Sequence, residues 1–280
     1  MNSVSIVGLG WLGYPLAKYL QRLGWEVKGS KRTHEGAEQM RLNRIESYAL
    51  ELTPELNVDP DDLTALLSVD ALIINIPPSD YFFNIETYVQ SVQNLVNEAL
   101  LYGITHIIFI SSTSVFPDIS GNFSENSLPQ PTSQMGKALL EVEQGLFNLK
   151  DIDVDIIRFA GLVGYERHPV YSLAGRENLS GGNMPVNLVH FDDCVRAIQL
   201  LLETPSNKRL YHLATPLHPK KAEYYPKMAE KFGVKAPHFI CSEQDPQRII
   251  LANKICDELD FVYQYLDPEE FNTDSLVNFL

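Results

Sequence analysis

Six residues near the start of the chain, Gly8-Leu-Gly10-Trp-Leu-Gly13, constrain it more than any other stretch. They directly follow the apolar run Ser3–Val7 and open an amphipathic segment over residues 12–23. A glycine triplet in that setting reads as the tight turn from a first strand into a first helix. Gly8 permits the turn, Gly10 keeps a Cβ out of the path of an approaching pyrophosphate, and Gly13 lets helix and strand pack closely. With the helix opening near Trp11 and Leu12, its N–H groups and positive end suit a diphosphate. An ordinary glycine turn is the alternative for the same residues.

Beyond that turn, short β-branched runs alternate with longer amphipathic ones, the rhythm of a parallel sheet wrapped by helices. Strands are expected over residues 3–7, 26–29, 47–50, 71–75, 106–110 and 154–158, and helices over 12–23, 61–67, 84–102 and 135–149. The stretches 70–75 and 106–110 are continuously apolar inside, as central strands covered on both faces are. The expected fold class is α/β: a Rossmann doubly wound parallel sheet with a small C-terminal mixed α/β lobe. Residues 1–165 form the dinucleotide-binding domain, 186–215 return to it, and 166–280 supply mainly the small substrate lobe, interleaved in sequence. The break is marked by the Gly-, Asn- and Pro-rich passage 165–185. An apolar run over 186–191 and a helix pattern over 193–202 follow, and then a remainder punctuated by Pro216, Pro219, Pro226, Pro237 and Pro246.

Composition bounds the partners. A chain of 280 residues with 45% hydrophobic and 21% charged content can bury a full core, which excludes disordered and fibrous classes. Its net charge of -14 repels phosphate backbones and anionic lipid, so neither nucleic acid nor a membrane surface is an expected partner, although a local basic pocket can still hold a small anion. A small-molecule substrate is expected and a homodimer is allowed. Cys194, Cys241 and Cys256 are widely spaced and odd in number, with no disulfide framework and no metal-ligand spacing, which fits a reducing cytoplasm. The apolar start carries no Lys or Arg before it and is interrupted by Gly8, Gly10, Gly13 and Pro15, so it does not read as a signal peptide. No later window has the run of about 20 apolar residues that a membrane helix needs, and the expectation is a soluble, cytoplasmic protein.

The end of the second strand indicates which dinucleotide. An NAD site usually carries an Asp or Glu there for the adenosine ribose hydroxyls. This chain reads Lys28-Gly29-Ser30-Lys31-Arg32 instead. Ser30, Lys31 and Arg32 can donate to a 2′-phosphate, and an arginine can do so with two parallel bonds. NADP(H) is therefore preferred and NAD(H) is the alternative; a basic surface turn without a ligand is the plainer one. Ligands of doubly wound sheets bind beyond the carboxyl ends of the strands. That rule selects Asn75 and Pro77 after the fourth strand, Ser111 and Ser112 after the fifth, and Gly161 and Leu162 after the sixth, all facing the nicotinamide end. The hydroxyls of 111–114 either bind a substrate oxygen or satisfy the backbone of their own turn.

Taken with the glycine motif, Ile110-Ser-Ser-Thr-Ser-Val-Phe116, Glu125-Asn, Pro129 to Pro131 and Val189-His-Phe-Asp-Asp193 make the chain resemble the short-chain dehydrogenases of the extended, sugar-nucleotide epimerase and dehydratase type. Within that family it looks most like the atypical YeeZ-like subgroup. The marks of that likeness are Val7-Gly-Leu-Gly-Trp-Leu-Gly13, Ser111-Ser-Thr-Ser-Val115, Arg158-Phe-Ala-Gly-Leu-Val-Gly164, Val186-Asn-Leu-Val-His190 and Ile255-Cys-Asp-Glu-Leu-Asp-Phe261.

The resemblance implies a substrate-orienting hydroxyl at Ser112. It also implies a Tyr and a Lys on the helix that follows, and there this chain departs, with Met135 and Leu139 in their places. A thioether neither gives nor takes a proton, so the usual acid/base pair is absent. Lys137 is the nearest titratable substitute, provided that it is buried beside the cofactor; an exposed lysine or a phosphate-holding one are the alternatives. His190, Asp192 and Asp193 invite an acid/base reading, but Asp192 as the N-cap of the next helix with Asp193 in its first turn is favoured. Tyr224, Tyr225, Phe261, Tyr263 and Tyr265 read as core of the lobe. Two functions follow: an NADP(H)-dependent oxidoreductase, epimerase or dehydratase acting on a small polar or sugar-nucleotide substrate, or a non-catalytic NADP(H)-sensing regulator.

Overall fold

The structure is a computed structural model that describes residues 2–81, 85–204 and 207–272. In chain order its elements are β1 (Ser3–Val7), α1 (Gly13–Arg22), β2 (Glu26–Lys31), α2 (His34–Leu42), β3 (Glu46–Ala49), α3 (Pro60–Leu67), β4 (Ala71–Ile74), α4 (Ile85–Leu101), β5 (His106–Ser112), β6 (Gly121–Phe123), α5 (Gln134–Phe147), β7 (Asp153–Phe159), β8 (Gly161–Val163), α6 (Pro169–Leu173), β9 (Leu188–His190), α7 (Phe191–Glu203), β10 (Arg209–Leu213), α8 (Lys221–Lys231), β11 (Arg248–Ile250) and α9 (Lys254–Leu259). Seven strands form one sheet in the order β10-β7-β5-β4-β1-β2-β3. Every pairing in it is parallel. The chain winds outward from β1 in one direction and from β4 in the other, so a crevice opens between their carboxyl ends.

The six expected strands are all present, and β2, β5 and β7 run one or two residues further than expected. The expected start of α4 at Asn84 lies outside the described residues. α2 was not expected: its sequence His-Glu-Gly-Ala-Glu-Gln-Met-Arg-Leu buries only Ala37, so no apolar stripe announces it. It forms because Thr33 caps it, accepting the Gly36 N–H at 3.1 Å. α3 and α5 are capped in the same way by Asp59 and Ser133.

The large core spans both faces of the sheet and includes every residue of β4. A second cluster, built on Val163, Val170, Val186, Tyr224, Tyr225, Met228 and Phe271, forms the smaller lobe. Phe261 and Tyr263, expected in that lobe, pack into the large core with Ile250 and Ile255 instead. Asp193 explains that placement. Fully buried at the start of α7, it accepts the backbone N–H of Gln264 at 2.7 Å and of Tyr265 at 3.3 Å, tying the late segment to the helix. The cap of α7 is also not the expected one. His190 accepts the Asp192 N–H through Nδ1, while Asp192 binds the hydroxyls of Tyr165 and Tyr265 at 2.6 and 3.3 Å.

Buried imidazoles make the fold acid-sensitive. Burial, then the neighbouring Arg158, lowers His212 from 6.5 to about 3. Burial, then Lys231, lowers His168 from 6.5 to about 4. Below pH 6.5 the unfolded chain takes up protons that these native side chains refuse, so their contribution to stability is complete above 6.5 and is lost as pH falls toward the native values. The expected slope is up to about 1.4 kcal/mol per pH unit for each histidine. Urea unfolding between pH 6.5 and 4 should show stability falling on acidification, with His212→Gln reducing the proton uptake by about one; an unchanged slope in that variant contradicts the assignment.

Candidate active-site cleft

The turn between β1 and α1 is built by contact rather than by propensity. Gly8 has φ +109°, and a Cβ on it would lie 2.5 Å from the Asn75 carbonyl oxygen at the end of β4. A Cβ on Gly13 would lie 2.1 Å from the Gly8 oxygen. The Asn75 amide donates to that same oxygen at 3.0 Å, locking the turn to the neighbouring strand. Gly10 differs from both, because a Cβ there meets no atom of the described residues within 4 Å. Packing among the described residues does not account for glycine at that position. Gly10 instead lines two cavities, of about 330 and 530 Å³, that also share Asn75, Ile76 and Pro77 in their walls. No side chain caps the start of α1, which opens beside them.

The smaller cavity lies over the end of β2. Ser30, Lys31 and Arg32 line it with Thr33, Leu50 and Leu52. Ser30 is buried, Arg32 is exposed, and the Lys31 ammonium donates to the Leu9 carbonyl at 3.0 Å. Lys28, one alternation back along the strand, points elsewhere: its ammonium donates to the carbonyls of Ala65 and Ser68 at 2.9 and 3.4 Å, at the C-terminal end of α3. Thr33, Leu50 and Leu52 were not anticipated. Thr33 could have been found from its capping pattern, whereas the two leucines depend on how β3 pairs with β2.

The larger cavity lies over β4, β5 and β7 and brings Trp11, Leu12, Pro77, Ser111, Ser112, Gly161 and Leu162 together. Its two serines have opposite polarity. Ser111 donates to Glu143 Oε1 at 2.5 Å, so it offers the cavity lone pairs. Ser112 accepts the Ser114 N–H at 3.1 Å, which leaves its own proton for a ligand oxygen.

Behind Ser111 the polar groups form a closed set. Arg158 meets both Glu143 oxygens, Nε to Oε1 at 3.0 Å and Nη2 to Oε2 at 2.6 Å, and all three residues are buried. His212 completes it, facing Arg158 Nη1 at 3.4 Å through Nε2 and donating from Nδ1 to the Leu251 carbonyl at 3.0 Å. The neutral imidazole is the form that fits both contacts.

Leu139 lines the same cavity, and Met135 is half-buried. Lys137 is exposed and is not among the lining residues, so the burial that a catalytic lysine needs is missing. Arg167, on the turn after β8 and three residues beyond the Arg158–Gly164 run, does line the cavity. Gly13 lies beneath the cavity floor rather than in its wall. Among the described residues no group of His, Cys, Asp or Glu is arranged to hold a metal ion, and no helix is long and apolar enough to cross a membrane.

The glycines make a discriminating pair. Gly13→Ala should destabilise the fold by about 1–3 kcal/mol, since its Cβ collides with backbone. Gly10→Ala should leave urea-unfolding stability unchanged or raise it by up to about 1 kcal/mol; a large loss at Gly10 would mean that its smallness serves the fold after all.

No protein-family model matches the chain. The Escherichia coli (strain K12) protein YeeZ is 45% identical to it over 269 residues, 96% of this chain and 98% of that protein. Among solved structures, the UDP-glucose 4-epimerase of Thermotoga maritima superposes with a TM-score of 0.79 at 18% identity, over 96% of this chain and 95% of that one. The UDP-glucuronic acid 4-epimerase of Bacillus cereus, solved with NAD, gives 0.78 at 19% identity over 99% of each chain. Likeness at those identities is a likeness of fold, whereas 45% identity along nearly the full length is kinship. The chain belongs to the YeeZ family, on the fold of the epimerases and short-chain dehydrogenases.

Proposed function

We propose that this chain binds a nicotinamide dinucleotide, NADP(H) in preference to NAD(H), and acts as an atypical oxidoreductase, epimerase or dehydratase on a small polar or sugar-nucleotide substrate. The observation that carries the reading is Gly10, a glycine facing open space at the uncapped start of α1, where the two cavities meet. A diphosphate laid there would meet backbone N–H groups and the positive end of the helix. The B. cereus epimerase of like fold, solved with NAD, adds support.

Ser30, Lys31 and Arg32 would hold the adenosine end. Their hydroxyl and cations suit a 2′-phosphate, and among the residues lining that cavity there is no carboxylate to repel it. At the other end the nicotinamide supplies hydride chemistry when bound. Ser111 would accept a hydrogen bond from a ligand N–H or O–H, and Ser112 would donate one to a substrate oxygen. Arg167 is the one ionisable side chain among the described residues lining the larger cavity, and a guanidinium takes up no proton at neutral pH. The apolar Leu139 in the lining favours a second reading, in which the dinucleotide is sensed and no turnover occurs.

Calorimetric titration distinguishes the cofactors. NADPH should bind at least about tenfold more tightly than NADH, a difference of about 1.4 kcal/mol. Arg32→Ala should remove most of that preference and leave NADH affinity unchanged. Tighter NADH binding contradicts the reading of β2. With NADPH loaded, turnover that collapses in Ser112→Ala selects the enzyme, and tight binding without turnover selects the sensor.

A further inference from the structure

The turn between β8 and α6 holds two consecutive non-glycine residues at positive φ, Tyr165 at 23° and Glu166 at 58°. Residues with a Cβ seldom adopt that backbone, and such turns persist only where their surroundings hold them. This one is held on several sides. Gly164 and Arg167 exchange backbone hydrogen bonds in both directions, at 3.0 and 2.7 Å. The Tyr165 hydroxyl donates to Asp192 at 2.6 Å, and the Tyr165 carbonyl accepts the Trp11 indole N–H at 3.3 Å. Tyr165 and Trp11 both pack edge-on against Phe191, with centroids 4.9 and 5.5 Å away.

The consequence is the placement of Arg167. Its guanidinium lies 4.8 Å from the centre of the Trp11 ring, on the residue that follows Gly10, and its side chain lines the larger cavity. It forms no ion pair with a carboxylate among the described residues. Stacking occupies the face of a guanidinium and leaves its N–H edge for oxygen acceptors. In a chain of net charge -14, a fixed cation beside the start of α1 offsets the repulsion that any anionic ligand meets.

We propose that Arg167 is a clamp on the dinucleotide's diphosphate, holding it from the turn before α6 while the start of α1 holds it from the sheet. The clamp rests on the reading that this cleft binds a nicotinamide dinucleotide. It would join the cofactor to the smaller lobe, because the turn leads into α6 and Val170 of that lobe's cluster. The diphosphate is common to NADPH and NADH, whereas the 2′-phosphate is not, and this sets Arg167 apart from Arg32.

The test is calorimetric titration of both dinucleotides into wild type, Arg167→Ala, Arg167→Lys and Arg32→Ala, with melting temperatures recorded to show that each variant is folded. Arg167→Ala should weaken NADPH and NADH alike, by about tenfold or more, as loss of a charge-assisted bond does. The ratio between them should not change, and Arg167→Lys should recover part of the loss. Arg32→Ala should weaken NADPH alone. If Arg167→Ala binds both dinucleotides as wild type does, the clamp is overturned while the cofactor reading stands, and the cation is then left to an acidic substrate. If Arg167→Ala weakens NADPH alone, the clamp is likewise overturned, because the cation then serves the 2′-phosphate. Wild type that binds neither dinucleotide overturns the cofactor reading and the clamp together.

Discussion

The carbonyl oxygen of Gly8 is the point on which the site depends. Gly13 packs on it so closely that a Cβ would fall 2.1 Å away, and the Asn75 amide donates to it at 3.0 Å. Three segments therefore converge on one atom: the end of β1, the start of α1 and the end of β4. That convergence sits where the strand order reverses, so the crevice of the doubly wound sheet and the open end of the helix share one place. A Cβ on Gly10, in contrast, would meet no atom of the described residues within 4 Å. Gly8 and Gly13 belong to the architecture, and Gly10 lines the open cleft.

The floor of the larger cavity depends on a different kind of interaction. Glu143 and Arg158 are buried as a bidentate pair, and the lone pairs and protons left over are taken by Ser111 and His212. A buried charge pair is tolerated when its remaining groups are satisfied, and here each partner fixes the orientation of the next. Ser111 is thereby turned into an acceptor beside Ser112, a donor. The polarity of the cleft is thus set by residues that do not line it.

Much of this was legible in the sequence, for reasons that differ by element. The strands β4 and β5 are covered on both faces and announce themselves as apolar runs, and the glycine turn has a spacing that chemistry dictates. The mostly exposed helix α2 carries no such signal, and its cap at Thr33 was the only mark it left. Tertiary partners decided the rest. Asp193 looks like a helix-end residue until the backbone of Gln264 and Tyr265 is found on it. Phe261 and Tyr263 look like lobe aromatics until that tie draws them to the large core. Lys137 stands between the buried Gly136 and Ala138, and one position on a helix is enough to turn it outward. Arg167 becomes a cleft residue only through a turn whose backbone no propensity favours.

On the proposed reading, NADPH lies in the cleft beside the start of α1 with its diphosphate at Gly10 and Trp11 and its nicotinamide beyond, near Ser111 and Ser112, within energy-transfer range of the Trp11 indole. The chain has two tryptophans, and Trp25→Phe leaves Trp11 as the single indole in the protein. Titrating NADPH into that variant should quench Trp11 emission and sensitise nicotinamide emission saturably, with excess NADP⁺ reversing both. An indole whose emission is unmoved by saturating NADPH, in a variant that melts as wild type does, would contradict the account.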